Sequence, residues 1–329
     1  EVIAQTWKPL VDELKTSKLG SLHGLRRAST PGKHPSLLVA THMDAIGLMV
    51  TSVEGGWIRV TPIGGLDMRI LPGQWVTVHG RRALPGILQF IPDRLQKSSR
   101  AGSPPEINDL FVDVGLSERE VTRLVKLGDL VSFAQPPFEM EGGFVVGHSL
   151  DNRASVAALT VCLDELRRVA LDWDVWAVAT VQEEVGLMGA QTSAFELMPN
   201  LAVALDVTFA KSPGSSDYRT FPLGKGPTLG VGANIHPVLA EKFKAVADEM
   251  DLPYAIETMA KGSGTDGMSM QTTATGIPVM VIGIPLRYMH TPLEMVAVKD
   301  IQRAGRLLAR FIRQLEPDSM EKFFAEQKA

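Results

Sequence analysis

SLLVATHMD, residues 36–44, is an apolar run that ends by delivering a histidine and an aspartate. Ser36–Ala40 shows no alternation of polar and apolar residues, the pattern of a strand covered on both faces. Three other segments repeat it: Val175–Val181, Leu201–Leu205 and Pro278–Ile284. Helical stretches lie between them. Val156, Leu159, Leu163 and Leu166 recur at three- and four-residue steps, as do Leu239, Phe243, Val246 and Met250. Ile301, Leu308, Ile312 and Leu315 keep the same spacing near the C-terminus. Strands alternating with amphipathic helices predict an α/β domain of three layers, a mixed sheet with helices on both faces.

One region departs from this pattern. Between Ser52 and Gly142 the apolar runs are short and β-like, as in Trp57–Pro62, Gln74–His79 and Leu110–Val114. Gly64-Gly65, Pro72-Gly73 and Pro85-Gly86 read as turns between them. The expectation is a small β-rich domain over 52–142, inserted into an α/β domain made of 1–51 and 143–329. Its polar tract Gln96–Pro105 is expected to be a mobile loop.

Bulk composition agrees with a two-domain globular chain of 329 residues, 45% hydrophobic and 21% charged. A net charge of −4 gives no reason to expect nucleic acid or an anionic membrane as partner. No apolar run approaches the length of a membrane span. A single cysteine, Cys162, excludes an internal disulfide framework and suits a reducing cytoplasm.

The ends of the apolar runs carry the chemistry. Ser36–Ala40 leads into His42 and Asp44, Val175–Val181 into Glu183-Glu184, Leu201–Leu205 into Asp206, and Pro278–Ile284 through Arg287 to His290. In open α/β sheets, ligands bind outside the carboxyl ends of strands. Asp151 stands just before the Val156 helix, where unpaired N–H groups favour an anion. Each residue alone has an ordinary explanation: a core histidine, a helix cap, a turn aspartate, a solvated pair of glutamates. Their shared address at the strand ends is what such accidents do not explain.

Two histidines and three carboxylates suit a pair of divalent ions bridged by one carboxylate. The donor set is nitrogen and oxygen, which favours zinc, with cobalt or manganese as alternatives. Asp44 is two residues beyond His42, on the same side of an extended chain, and is expected to orient the imidazole through its second nitrogen. Glu183 and Glu184 can share a site only if the backbone turns where the strand ends, which Gly186 and Gly189 would permit. One of them would then bind metal and the other take a proton from water.

Five segments carry a family resemblance: Thr41–Gly47 (THMDAIG), Leu150–Ala154 (LDNRA), Val181–Ala190 (VQEEVGLMGA), Ala204–Thr208 (ALDVT) and Arg287–Met295 (RYMHTPLEM). In this order they resemble the tetrahedral, TET-type dinuclear metalloaminopeptidases, which include glutamyl and deblocking aminopeptidases and some members labelled cellulase. The resemblance spans nearly the whole chain. It implies a zinc-peptidase-like fold and removal of N-terminal residues from peptides. His42 and Asp206 would hold one metal, Glu184 and His290 the other, and Asp151 both. Glu183 would be the general base, with Asp44 orienting His42. The insert would be a PDZ-like domain, forming homodimers that assemble into a homododecamer. Asn152 departs from the family, which has a second aspartate there. Glu1–Leu14 resembles the family's second segment, so a first helix is expected upstream.

Other readings fare less well. A deacylase or carboxypeptidase with the same dinuclear site remains the alternative. A glycosidase needs two carboxyls across one bond and leaves both histidines unexplained. Lys261–Gly267 (KGSGTDG) lacks the lysine-serine/threonine end and preceding strand of a phosphate loop. Asp266 and Arg287 are candidates for shaping a substrate pocket, with a structural salt bridge or a turn as the equal alternative.

Overall fold

A computed structural model describes residues 1–91, 95, 105–215 and 217–326. Its centre is four mutually parallel strands, in the order Asp174–Thr180, Ser36–His42, Leu201–Phe209, Val279–Arg287. They are the four continuous apolar runs. Leu37, Leu38, Val39 and Ala40 are wholly buried, as a strand with helices over both faces requires. Antiparallel strands extend this core into an 11-stranded mixed sheet. Glu13–Thr16 and Leu22–Arg26 lie at one end, and Glu294–Ala297, Phe144–Gly147 and Phe138–Met140 at the other. Thr228–Gly232 also pairs with Val279–Arg287 and carries Ala255–Met259 beside it.

The helices form two groups. Leu150–Leu166, Pro237–Glu249 and Val298–Arg313 pack together and against the central strands, while Met188–Leu197 and Asp266–Gln271 pack together against the same strands. A stacked pair, Phe243 and Phe311, joins two helices of the first group at 4.0 Å between ring centroids. The three predicted helical repeats fall in these helices, except that Met250 and Leu315 lie just past the ends of the second and third.

The insert is a closed six-stranded barrel with a core of its own, built around Leu48, Ile58, Val78, Leu88 and Val112. Its strands run from Gly47–Glu54 to Leu130–Phe133. The 52–142 bounds therefore cut into its first strand and take in Phe138–Met140, which belongs to the large sheet. Pro85-Gly86 is not a turn: both residues lie inside the strand Ala83–Phe90, opposite Thr77 and Val76. Pro85 is tolerated because the ladder to Leu110–Asp113 begins only at Ile87, so its missing N–H leaves no partner there unpaired. A side chain at Gly86 would begin 2.8 Å from Val112. The tract expected as a mobile loop, from Gln96 on, lies outside the described residues except for Pro105.

Candidate metal centre

His42 is the last residue of its strand, beside Thr180 of the next, so the two parallel strands end together. Beyond Thr180 the chain turns sharply, with Gln182 at φ 60° and Gly186 at φ 143°, and Glu183-Glu184 occupies the turn. Gly189 does not belong to that turn. It lies in the helix Met188–Leu197, where an added Cβ would stand 2.2 Å from the Val181 carbonyl oxygen. Asp206 is not beyond its strand end but inside the strand Leu201–Phe209, opposite Gly283. Asp151 follows Ser149, at φ 64°, and has non-helical backbone angles before the helix becomes regular. His290 comes from the loop after Arg287, and both it and Tyr288 have positive φ, 60° and 62°. Left-handed backbone is costly for residues other than glycine, and here it recurs in the three loops that reach the site.

These segments bring six side chains together. His42 Nε2 lies 3.0 Å from Asp151 Oδ1, 3.7 Å from Asp206 Oδ1 and 3.8 Å from Glu183 Oε2. His290 Nε2 is 3.5 Å from both Asp151 Oδ2 and Glu184 Oε2. The two oxygens of Asp151 thus face different histidines. Donor atoms of His42, Asp151 and Asp206 form one cluster able to hold a cation, those of Asp151, Glu184 and His290 a second, and those of His42, Glu183 and Glu184 a third. Asp151 is the one residue common to the first two.

The electrostatics call for positive charge. Burial, reinforced by Asp206, pushes Glu183 up to about 9, and burial with Asp151 pushes Glu184 up to about 8. Burial raises Asp206 despite the neighbouring His42. Burial works against a charged His42, yet its bonds to Asp151 and Asp206 prevail and hold it well above the ordinary value. Its Nδ1 donates to the Asp44 carbonyl at 3.2 Å, so a neutral imidazole presents a lone pair at Nε2. Facing Asp151, that nitrogen needs either a second proton or a shared cation. Glu184 Oε1 is buried without a hydrogen-bond partner. A nitrogen-oxygen donor set, surplus negative charge and an unpartnered carboxylate oxygen all fit divalent metal ions.

Other residues hold these groups in place. The Asp44 carboxylate stands 3.7 Å from His42 Nδ1 and accepts the backbone N–H groups of Glu183 and Glu184, each at 3.2 Å. It anchors the turn, while its carbonyl meets the histidine. Glu294, absent from the sequence-derived set, accepts N–H of Asp151 at 2.9 Å and of His290 at 3.2 Å. Burial pushes it up to about 8. The signal was a lone acid within the apolar run Leu293–Ala297. Asn152 is fully buried and donates to the Leu205 carbonyl beside Asp206. Asp266 is buried too, accepting from Thr180 Oγ1 at 2.5 Å. Arg287 donates to the Lys211 carbonyl, a bond to backbone rather than a salt bridge. Gly64-Gly65 does more than turn the chain: a Cβ at Gly65 would lie 2.9 Å from His290 Nδ1, so the barrel edge reaches the site only as glycine.

The six residues line a cavity of about 480 Å3. Thr208, Glu257 and the Ser263–Thr265 part of the Gly-rich segment form other parts of its wall.

Comparison with known proteins follows the same lines. Residues 24–307 match the family described as M42 glutamyl aminopeptidase. The lysyl aminopeptidase of Pyrococcus furiosus is 33% identical over 326 residues, covering 96% of this chain and 91% of that one. The aminopeptidase APDkam598 from the archaeon Desulfurococcus kamchatkensis superposes with a TM-score of 0.90 at 32% identity, covering 98% of this chain and 91% of that one. The TET1 peptidase of Pyrococcus horikoshii, described as assembling into a tetrahedron or a large octahedral shell, gives 0.83 at 28% identity over 95% and 93%. A sequence match over most of the chain, together with this fold, makes the chain a member of the M42 peptidase family and a hydrolase of peptide bonds.

Proposed function

We propose that the chain is a metal-dependent aminopeptidase that removes N-terminal residues from peptides, using two divalent ions, zinc foremost, and Glu183 as general base. The observation that carries this reading is that Asp151 turns one oxygen to His42 and the other to His290, joining the donor cluster of Asp206 to that of Glu184. His42 and Asp206 would hold one ion, Glu184 and His290 the other, and Asp151 both. Ions there would supply Lewis acidity, withdrawing electron density from the scissile carbonyl and acidifying the attacking water. Glu183 contributes a carboxylate oxygen that takes the water's proton and returns it to the departing amine. Nearby cations would bring Glu183 down from about 9 into the ionised form that a base requires. Asp44 and Glu294 keep both glutamates, Asp151 and His290 in register by accepting their backbone N–H groups.

The barrel is, in the same reading, a PDZ-like dimerisation domain of a cytoplasmic enzyme whose dimers build a homododecamer. Trp57, Trp75, Ile87, Leu127 and Leu130 leave apolar surface exposed on it, which supports an interface. A related TET1 structure is described as a dodecamer.

The test is hydrolysis of paired peptides, one with a free and one with an acetylated N-terminus, with and without excess chelator. The free peptide should be trimmed from its N-terminus, and chelator should stop this until metal is restored. Release of acetate from the blocked peptide, or of C-terminal residues, would transfer the site to a deacylase or carboxypeptidase.

A further inference from the structure

The cavity wall holds one carboxylate that the mechanism above does not use. Glu257 lies on the strand Ala255–Met259, at the edge of the large sheet. Ladder partners lie on one face of a sheet, so the pairs Asp206–Gly283 and Gly283–Thr228 put Asp206, Gly283 and Thr228 in a row on the face whose Asp206 and Thr208 line the cavity. Thr208 is two residues beyond Asp206 and shares that face. Glu257 bridges the two threonines. Its Oε1 accepts from Thr208 Oγ1 at 2.7 Å and its Oε2 from Thr228 Oγ1 at 2.6 Å. The carboxylate hangs over Gly283, where an added Cβ would stand 3.0 Å from Oε2.

Two hydroxyls fix the orientation of this carboxylate without neutralising it. Each oxygen keeps a second acceptor site. Among the described residues, none of the groups acting on Glu257 is a cation: burial raises it, the two threonines lower it and Asp206 raises it further. A carboxylate lining a cavity, held rigidly and given no counter-charge by its own chain, is arranged to receive one from a ligand. Its position selects the source. Glu257 reaches the sheet about one strand spacing, roughly 4.8 Å, from Asp206. The α-amine of a bound peptide adjoins the scissile carbonyl and so lies among the candidate metal ligands. The four-carbon stem of a first-residue lysine, or the similar reach of an arginine, would extend across Gly283 to Glu257.

Resting on the aminopeptidase reading, we propose that Glu257 is a specificity residue that selects peptides whose first residue is lysine or arginine, by pairing with the side-chain cation. The alternative role is a structural brace between the Leu201–Phe209 and Thr228–Gly232 strands, and substrate comparison separates the two. The experiment measures kcat/KM of the metal-loaded wild type, Glu257→Gln and Glu257→Asp on lysyl, arginyl and norleucyl 4-nitroanilides. Norleucine matches the lysine stem without its charge. Wild type should favour lysine over norleucine by at least tenfold, and Glu257→Gln should cut that ratio by roughly ten- to hundredfold, mostly through KM. Glu257→Asp should keep part of the preference. The proposal is overturned if wild type cleaves norleucyl as well as lysyl substrate. It is equally overturned if Glu257→Gln lowers both alike, which would mean a contact with the α-amine or a brace. Failure of wild type on every aminoacyl substrate would instead remove the aminopeptidase reading, and this one with it.

Discussion

Glu183 and Glu184 are neighbours in sequence with different surroundings. Both join His42 in one donor cluster, but only Glu184 also joins Asp151 and His290, while Glu183 faces His42 and Asp206. Glu183→Gln should therefore reduce turnover by about 100- to 10,000-fold while the bound metal is retained. Metal analysis of that variant checks the assignment, and loss of metal would exchange the two roles. Asp266 supports a second prediction. Burial pushes its carboxyl up to about 7, against an ordinary value near 3.9 in the unfolded chain. The folded state then binds more protons than the unfolded state between those values, so its stability falls as pH rises toward and through 7. Denaturant unfolding of metal-free protein at pH 5 and pH 8 should show a smaller loss for Asp266→Asn than for wild type. Equal losses would remove Asp266 from the account. The sequence made most of the six clustered residues legible because each follows, or sits in, a run that can only be a buried strand. Glu294 left only the weak signal of a lone acid in an apolar run, because its bond to Asp151 spans 143 positions, and Glu257 left none, its two threonine partners lying 49 and 29 positions away.

At the level of elements, the strongly periodic segments were the readable ones. All four central strands and three long helices lie where the apolar spacing put them. Asp206 was read as lying just past its strand, but the chain stays extended to Phe209 because Val207 and its neighbours continue the ladder with Val279–Arg287. Pro85-Gly86 misled for a related reason: turn residues also serve inside a strand where pairing is incomplete or neighbours press close. The packing of the helices Leu150–Leu166 and Val298–Arg313 gives a test at this scale. A Cβ on Gly305 would stand 2.3 Å from the Ala158 carbonyl oxygen, so these helices meet backbone to backbone. Gly305→Ala improves helix propensity by about 1 kcal/mol, but the clash should cost more, with a net loss of about 1–3 kcal/mol. A lowered thermal midpoint would agree; an unchanged or raised one would mean the helices can separate without cost.

On the scale of the molecule, the barrel is suspended from the site. The chain leaves the large sheet just after His42 and Asp44, builds the barrel, and returns shortly before Ser149 and Asp151. Only the outgoing connection starts at a candidate ligand, His42, since two strands of the large sheet separate the barrel's return from Asp151, and Gly64-Gly65 of the insert closes on Glu184 and His290. Asp151 is the point where the two donor clusters meet, so the measurement that bears most directly on the account is the metal content of Asp151→Ala, purified in parallel with wild type. Two equivalents per wild-type chain and loss of both in the variant are the predicted result. Two equivalents retained by Asp151→Ala would contradict a shared ligand, and with it the dinuclear centre described here.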